Sequence, residues 1–313
     1  MSRHIKKINF SYILQDSSLS RLEIKILISF LTKKPREFFL IHPETVISQA
    51  IYKKFQFLKA KRLKNWPIAY LTGHKEFYGL DFAVNPSVLV PRPETEMIVE
   101  EIIDLVKKLA SAKTLTLNAD QRRLHGQHPL IIDLGTGSGA IIIAVAHELK
   151  RLFPAYYKTA KFSAGDISVG ALKTASYNTK IHGLDKKIKF YRGNLLTPLK
   201  LTNQSSENKV NRDLIIAANL PYLTPTQIKN SPSISREPKS ALAGGQDGLK
   251  YYRAFFQQLR NVKFRSATVL CEIDPGQAKK IVILATKYFP GAKNRLLPDL
   301  SGQNRLFITK IRP

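Results

Sequence analysis

The sequence holds one cysteine, one tryptophan and two methionines in 313 residues. A lone Cys271 can form no internal disulfide and no cysteine-cluster metal site, which is the usage expected of a protein kept in a reducing compartment. It sits in the apolar run TVLCEI, where a small buried core residue is the plain expectation. Long hydrophobic runs are missing as well, since none approaches the ~18 apolar residues that a membrane-crossing helix needs. The opening MSRHIKKINF is basic, but no apolar segment of signal-peptide length and no small-residue cleavage site follow it. No membrane association and no secretory signal are therefore expected, and a cytoplasmic location is. Acidic residues are scarce: 23 Asp and Glu stand against 50 Lys and Arg, a formal net charge of +27. A positive field of that size draws polyanions or acidic proteins and makes their association salt-dependent, which keeps nucleic acid on the list of partners. There is no internal repeat and no low-complexity tract.

What is present reads as one large domain preceded by a smaller one, since the length exceeds the ~100 to 200 residues of a typical domain. SRLEIKILISFL predicts a helix with Ser20 as N-cap and Glu23 as its capping-box partner, and with Leu22, Ile26 and Phe30 at helical spacing. HPETVISQAIYKKF predicts a second helix with Pro43 in its first turn and Val46, Ile47, Tyr52 and Phe55 as its apolar stripe. Residues 1–73 are thus expected to be a small helical domain. In LTGHKEFYGLDFAVNPSVLVPRPETE, Gly73 and Gly79 punctuate aromatic and β-branched residues and two prolines bracket Arg92, so 74–95 reads as a hairpin and connector.

A helix is expected at Glu96–Ala110, followed by a polar surface loop, SAKTLTLNADQRRLHGQHP. Apolar strands then alternate with helices: LIIDL, a helix from Ser138, KFSAGD, a helix through Leu172 and Ala175, IKFYRGN, DLIIAANLPY, a helix at YYRAFFQQL, TVLCEI and RLFITKI. Alternation of this kind predicts a mainly parallel, doubly wound α/β sheet over residues 96–313, with LTNQSSENKVNR as a second polar loop.

Asp133-Leu-Gly135-Thr136-Gly137-Ser138-Gly139 follows a strand and opens a helix, where glycines allow a tight turn and close approach of a nucleotide-type ligand. Gly135-x-Gly137-x-x-Ala140 also satisfies a dinucleotide fingerprint, so the loop alone does not choose the ligand. Asp166 ends the next strand, where a carboxylate can accept both hydroxyls of an adenosine ribose. The choice is made by Asn219-Leu220-Pro221-Tyr222 at the end of the fourth strand. A planar nitrogen is a poor nucleophile and needs acceptors that orient its lone pair. The Asn219 side chain and the Leu220 carbonyl can accept its two N–H groups, while Pro221 stiffens the turn and Tyr222 offers an aromatic wall. The tetrapeptide points to methylation of nitrogen.

The chain resembles the protein-(glutamine-N5) methyltransferases that modify the Gly-Gly-Gln motif of peptide chain release factors. The likeness runs over nearly the full length, through YLTGHKEFYGLDFAVNPSVLVPRPETE, DLGTGSGAI, GDIS, NLPY, EPKSALAGGQDGLKYYR, CEIDPGQ and GQNRLFI. It implies a Rossmann-like, seven-stranded S-adenosylmethionine-dependent methyltransferase domain behind a small helical domain that helps engage the release factor. Residue by residue it implies that Gly135, Thr136, Gly137, Ser138 and Gly139 line the methyl donor, S-adenosylmethionine. Asp166 would hold the ribose, Asn194 and Leu195 would lie near the adenine, and Asn219, Leu220, Pro221 and Tyr222 would hold the substrate glutamine and carry catalysis. The partners implied are class 1 release factors, with neither metal nor nucleic acid required. The family usually has Pro at the position of Leu220 and often Asp at that of Asn194. NLPY also occurs in ribosomal RNA adenine-N6 methyltransferases, the competing enzyme class, but those carry their extra domain after the catalytic one. A non-catalytic module docking on ribosomes through its basic surface is a third class. Arg92, Glu94 and Glu96 are open to a structural or a substrate-contacting role.

Overall fold

The computed structural model of the chain describes residues 8–116, 129–199 and 212–312. It divides into two compact units, one of Met1–His74 with Ser231–Arg236, the other of Lys75–Asn230 with Glu237–Pro313.

The first unit is helical, with α1 (Phe10–Ile13), α2 (Arg21–Thr32), α3 (Phe38–Ile41), α4 (Gln49–Leu63) and α5 (Ile68–Thr72). The capping box forms at α2: the Ser20 hydroxyl accepts the Glu23 N–H at 3.2 Å and the Glu23 carboxylate accepts the Ser20 N–H at 2.9 Å. The buried face of α2 is Ile24, Leu27 and Ile28 rather than the expected Leu22-Ile26-Phe30 stripe, and Leu22 is 56% exposed. An i, i+3, i+4 set makes a wider contact stripe than a strict i, i+4 row, and that set packs on Phe10, Phe39 and Phe55. The second predicted helix starts later than Pro43, at Gln49, because the Ser48 hydroxyl caps it by accepting the Ile51 N–H at 3.3 Å. Residues 43–46 instead bond to the start of the chain, the Pro43 and Thr45 carbonyls accepting the Ser11 and Phe10 N–H groups at 2.9 Å each.

In the second unit, β1 (His74–Phe77) and β2 (Leu80–Ala83) form the hairpin. Its two-residue turn, Tyr78-Gly79, has φ of 52° and 70°, the left-handed pair that matches strand twist. A 3₁₀ turn (Pro93–Thr95) leads into α6 (Glu96–Thr116), which continues through Ser111–Thr116 where a loop is expected from sequence. The remainder of that polar tract, 117–128, and residues 201–211 of the second one lie outside the described residues.

There follow β3 (Leu130–Leu134), α7 (Ala140–Leu152), α8 (Pro154–Thr159), β4 (Lys161–Asp166), α9 (Val169–Ile181), β5 (Ile188–Arg192), β6 (Asp213–Ala218), α10 (Pro225–Lys229), α11 (Lys250–Leu259), β7 (Ser266–Glu272), α12 (Ala278–Tyr288), β8 (Lys293–Pro298) and β9 (Asn304–Ile311). Seven strands form one Rossmann-like sheet in the order β5-β4-β3-β6-β7-β9-β8. β3 to β7 pair in parallel and β9 enters antiparallel between β7 and β8. β3 is buried along its whole length and feeds both faces, Ile131 packing on one side with α6 and α7, Leu130, Ile132 and Leu134 on the other with α11 and α12. From β3 the chain moves outward to β4 and β5, then returns to β6 on the opposite side of β3. That reversal is a topological switch point, and ligands in open α/β sheets bind outside the strand ends there.

Candidate active site

The ends of β3, β4, β5 and β6 and the connector before α6 surround a cavity of about 1160 Å³, its open mouth included. Gly135, Thr136, Gly137, Ser138, Asp166, Asn194, Leu195, Asn219, Leu220 and Pro221 all line it, as do Arg92 and Thr95. Gly139 and Tyr222 do not. A Cβ on Gly139, the residue capping α7, would lie 2.9 Å from Ile143 Cδ1 and 3.2 Å from Ala175 Cβ, so this glycine serves the packing of α7 on α9.

The glycine loop is held from behind. The Gly135 and Thr136 N–H groups donate to the Gly165 carbonyl at 2.9 and 3.0 Å, which leaves the loop curled over the end of β3. Gly135 has φ of 69°, a conformation that favours glycine, and a Cβ there would sit 3.3 Å from Leu220 Cδ2 and crowd the loop's approach to the end of β6. Asp166 ties the loop to β4: its Oδ2 accepts the Gly137 N–H at 3.0 Å and its Oδ1 the Ser168 N–H at 2.8 Å. A carboxylate has about four acceptor positions, so both oxygens keep capacity for a ligand in the cavity. Burial raises the Asp166 pKa, against backbone N–H bonds that lower it. Asp133, under the loop, accepts the Thr136 hydroxyl at 2.7 Å and is pushed by burial up to about 7. Leu195 holds φ of 55°, a left-handed conformation unusual for leucine, and the Leu196 N–H that follows is fixed by Gln258 Oε1 at 2.9 Å.

On the opposite wall Asn219 directs its amide nitrogen at two acceptors, Thr95 Oγ1 at 3.1 Å and Glu272 Oε2 at 3.0 Å. The Thr95 hydroxyl donates in turn to Glu272 Oε2 at 2.5 Å, and the Tyr222 hydroxyl donates to Glu272 Oε1 at 2.9 Å. Glu272 is buried at the end of β7, and burial raises its pKa against these hydrogen bonds and the nearby Arg305. The Tyr222 carbonyl accepts Gln277 Nε2 at 2.7 Å. The chain through Leu242–Gly248 wraps the same backbone, the Leu223 N–H donating to the Leu242 carbonyl at 2.9 Å and the Gly244 N–H to the Leu223 carbonyl at 2.8 Å. Arg92 pairs with the buried Glu237, whose other oxygen accepts the Val90 N–H at 3.2 Å, and Glu96 accepts the Tyr78 N–H at 2.9 Å.

Sequence reading therefore misses Thr95, Glu237, Glu272 and Gln277, which make no recognisable spacing with Asn219. For Glu272 a signal exists: a carboxylate closing an apolar strand of a parallel sheet stands where such sheets bind ligands. The cavity has the room and the ribose-type acceptor that a nucleoside needs. Asp166 lines it with acceptor capacity to spare, and the glycine loop brings backbone to its edge.

The PrmC N-terminal domain family matches residues 9–73. The chain is 31% identical over 303 residues to the release factor glutamine methyltransferase of Bacillus cereus, covering 96% of each protein. It is 32% identical over 296 residues to that of Coxiella burnetii, covering 94% of this chain and 93% of the relative. A bifunctional methyltransferase of Rickettsia typhi is 32% identical over 303 residues, 92% of this chain and 53% of that protein. Among solved structures, the hMettl16 catalytic domain in complex with MAT2A 3'UTR hairpin 1 aligns with a TM-score of 0.50 at 14% identity, covering 91% of this chain and 90% of that one, and shares the fold. Fold and relatives together define an α/β methyltransferase. The chain belongs to the release factor glutamine methyltransferase family.

Proposed function

We propose that the protein transfers a methyl group from S-adenosylmethionine to the side-chain amide nitrogen, N5, of the glutamine in the Gly-Gly-Gln motif of class 1 peptide chain release factors. The observation that carries this is the Asn219 amide: its nitrogen is taken by Thr95 and Glu272, so its oxygen is the atom left to serve the cavity that Asn219 lines. Asn219 Oδ1 and the Leu220 carbonyl accept the two N–H bonds of the substrate amide and turn its lone pair toward the donor. Leucine in place of proline keeps that carbonyl.

Gly135 to Ser138 cradle the donor, Asp166 accepts its ribose hydroxyls, and Asn194 and Leu195 flank its adenine. When bound, S-adenosylmethionine supplies a methyl carbon on a positively charged sulfur that is also the leaving group. No strong base is asked of the protein; holding the reactants in near-attack geometry is worth roughly 7 to 11 kcal/mol. Tyr222 stiffens the acceptor wall through its bond to Glu272. The helical unit of residues 1–73 contributes recognition of the release factor, in the cytoplasm. No helix among the described residues is long and apolar enough to cross a membrane.

The test is a labelling experiment with radioactive S-adenosylmethionine offered to a full-length release factor, to its Gln→Ala variant at the Gly-Gly-Gln motif, and to deproteinised ribosomal RNA. Label in the unaltered factor alone supports the proposal. Label in RNA alone overturns it and assigns NLPY to adenine.

A further inference from the structure

Three donors converge on the buried carboxylate of Glu272: Asn219 Nδ2, the Thr95 hydroxyl and the Tyr222 hydroxyl. An ionised carboxylate only accepts, so this set satisfies it with no donor facing a donor. The consequence falls on Asn219, whose amide is a rigid plane with a donating end and an accepting end. Turned over, it would set Oδ1 against Oε2 of the buried Glu272, two acceptors in contact, and an unmade buried hydrogen bond is costly. Thr95 enforces the same choice, because its hydroxyl spends its proton on Glu272 and faces Asn219 as an acceptor. These residues come from three separate places, the turn before α6 and the ends of β6 and β7, so the arrangement is made by the fold and not by a local motif.

We infer that Glu272 is the positioning residue of the methyl-transfer site, selecting the one amide orientation of Asn219 that presents an acceptor to the substrate nitrogen. It also draws in the Tyr222 hydroxyl, so one carboxylate holds the first and last residues of NLPY. This rests on the reading of Asn219 as the acceptor for the substrate amide. Glu272 touches neither reactant; it acts through Asn219, and its loss should matter only while Asn219 is there to be misplaced.

The experiment is a double-mutant cycle on single-turnover methylation of a release factor, with S-adenosylmethionine affinity measured by calorimetry as the control for folding. Asn219→Ala should slow transfer by on the order of 10² to 10³, as for removal of one preorganised polar group. Glu272→Gln gives three donors a single oxygen and should slow transfer about tenfold or more, with donor affinity retained. In the Asn219→Ala background the same change should do nothing further. If Glu272→Gln does not fold, Thr95→Val, which removes the hydroxyl between the two residues, carries the same comparison. Losses that multiply in the double variant, or full activity in Glu272→Gln, would overturn the role of Glu272 while leaving Asn219 in place. Full activity in Asn219→Ala would instead overturn the reading of Asn219, and the role of Glu272 with it.

Discussion

Asp166 accepts the Gly137 N–H at 3.0 Å, joining the end of β4 to the glycine loop that leaves β3. The carboxylate that completes the loop is thus the one proposed to accept the ribose hydroxyls. An amide in its place sets an NH₂ group against one of two backbone N–H groups. Asp166→Asn is expected to weaken S-adenosylmethionine binding by roughly tenfold to a hundredfold, the worth of a charged hydrogen bond. Calorimetric titration at neutral pH checks it. Because burial raises the Asp166 pKa, wild-type affinity should hold above that raised value and fall as pH drops through it, earlier than for an exposed aspartate.

Asp133 makes a separate pH prediction, on stability. Its pKa is about 7 in the fold against 3.8 for a free side chain. Between about pH 4 and about pH 7 the unfolded chain releases this proton while the folded one keeps it, so stability falls as pH rises through that window. Asp133→Asn cannot ionise and should lose that slope. Thermal melts at about pH 4.5 and about pH 7 of the ligand-free protein compare the two; parallel behaviour would contradict the assignment.

Gly248, at φ of 73°, closes the back of the acceptor wall. A Cβ there would fall 1.9 Å from Gln277 Nε2 and 2.2 Å from the Tyr222 carbonyl, which are bonded to each other. Gly248→Ala must part them. Single-turnover methylation is expected to slow about tenfold or more, since small displacements of positioning groups are that costly, while S-adenosylmethionine affinity stays within about twofold.

Arg92 and Glu237 join the connector to the chain beyond the cavity, the Glu237 side chain 1% exposed and the Arg92 side chain 34%. Arg92→Ala leaves a buried carboxylate without its cation. The expected cost is roughly 2 to 4 kcal/mol in urea unfolding, below that of a fully buried pair because Arg92 is partly in water. Glu237→Gln should cost less than Arg92→Ala.

The elements legible in the sequence are those whose cause is local. The Ser20 and Glu23 capping box is a four-residue interaction, and β3, β4 and β6 announce themselves as short apolar runs flanked by glycine or polar turns. The glycine loop and NLPY can be placed at strand ends for the same reason, and the family likeness is what implies their proposed roles. β8 goes unread because KNRLLP is an edge strand, largely polar and ending in proline, stabilised by its pairing with β9 and not by an apolar run. The late start of α4 turns on the hydrogen bonds of Pro43 and Thr45 with residues more than thirty positions earlier. Thr95 and Glu272 are silent on the same physical ground: they lie 124 and 53 residues from Asn219, and only the parallel order of β6 and β7 and the turn before α6 bring them together.

On the proposed function, the methyl group lands on a glutamine side-chain amide. This is tested most directly by tandem mass spectrometry of a release factor after reaction with the protein and S-adenosylmethionine. One added methyl group on the side chain of the Gly-Gly-Gln glutamine is the result expected. A methyl group on any other residue, or an unmodified factor beside methylated RNA, would contradict the account.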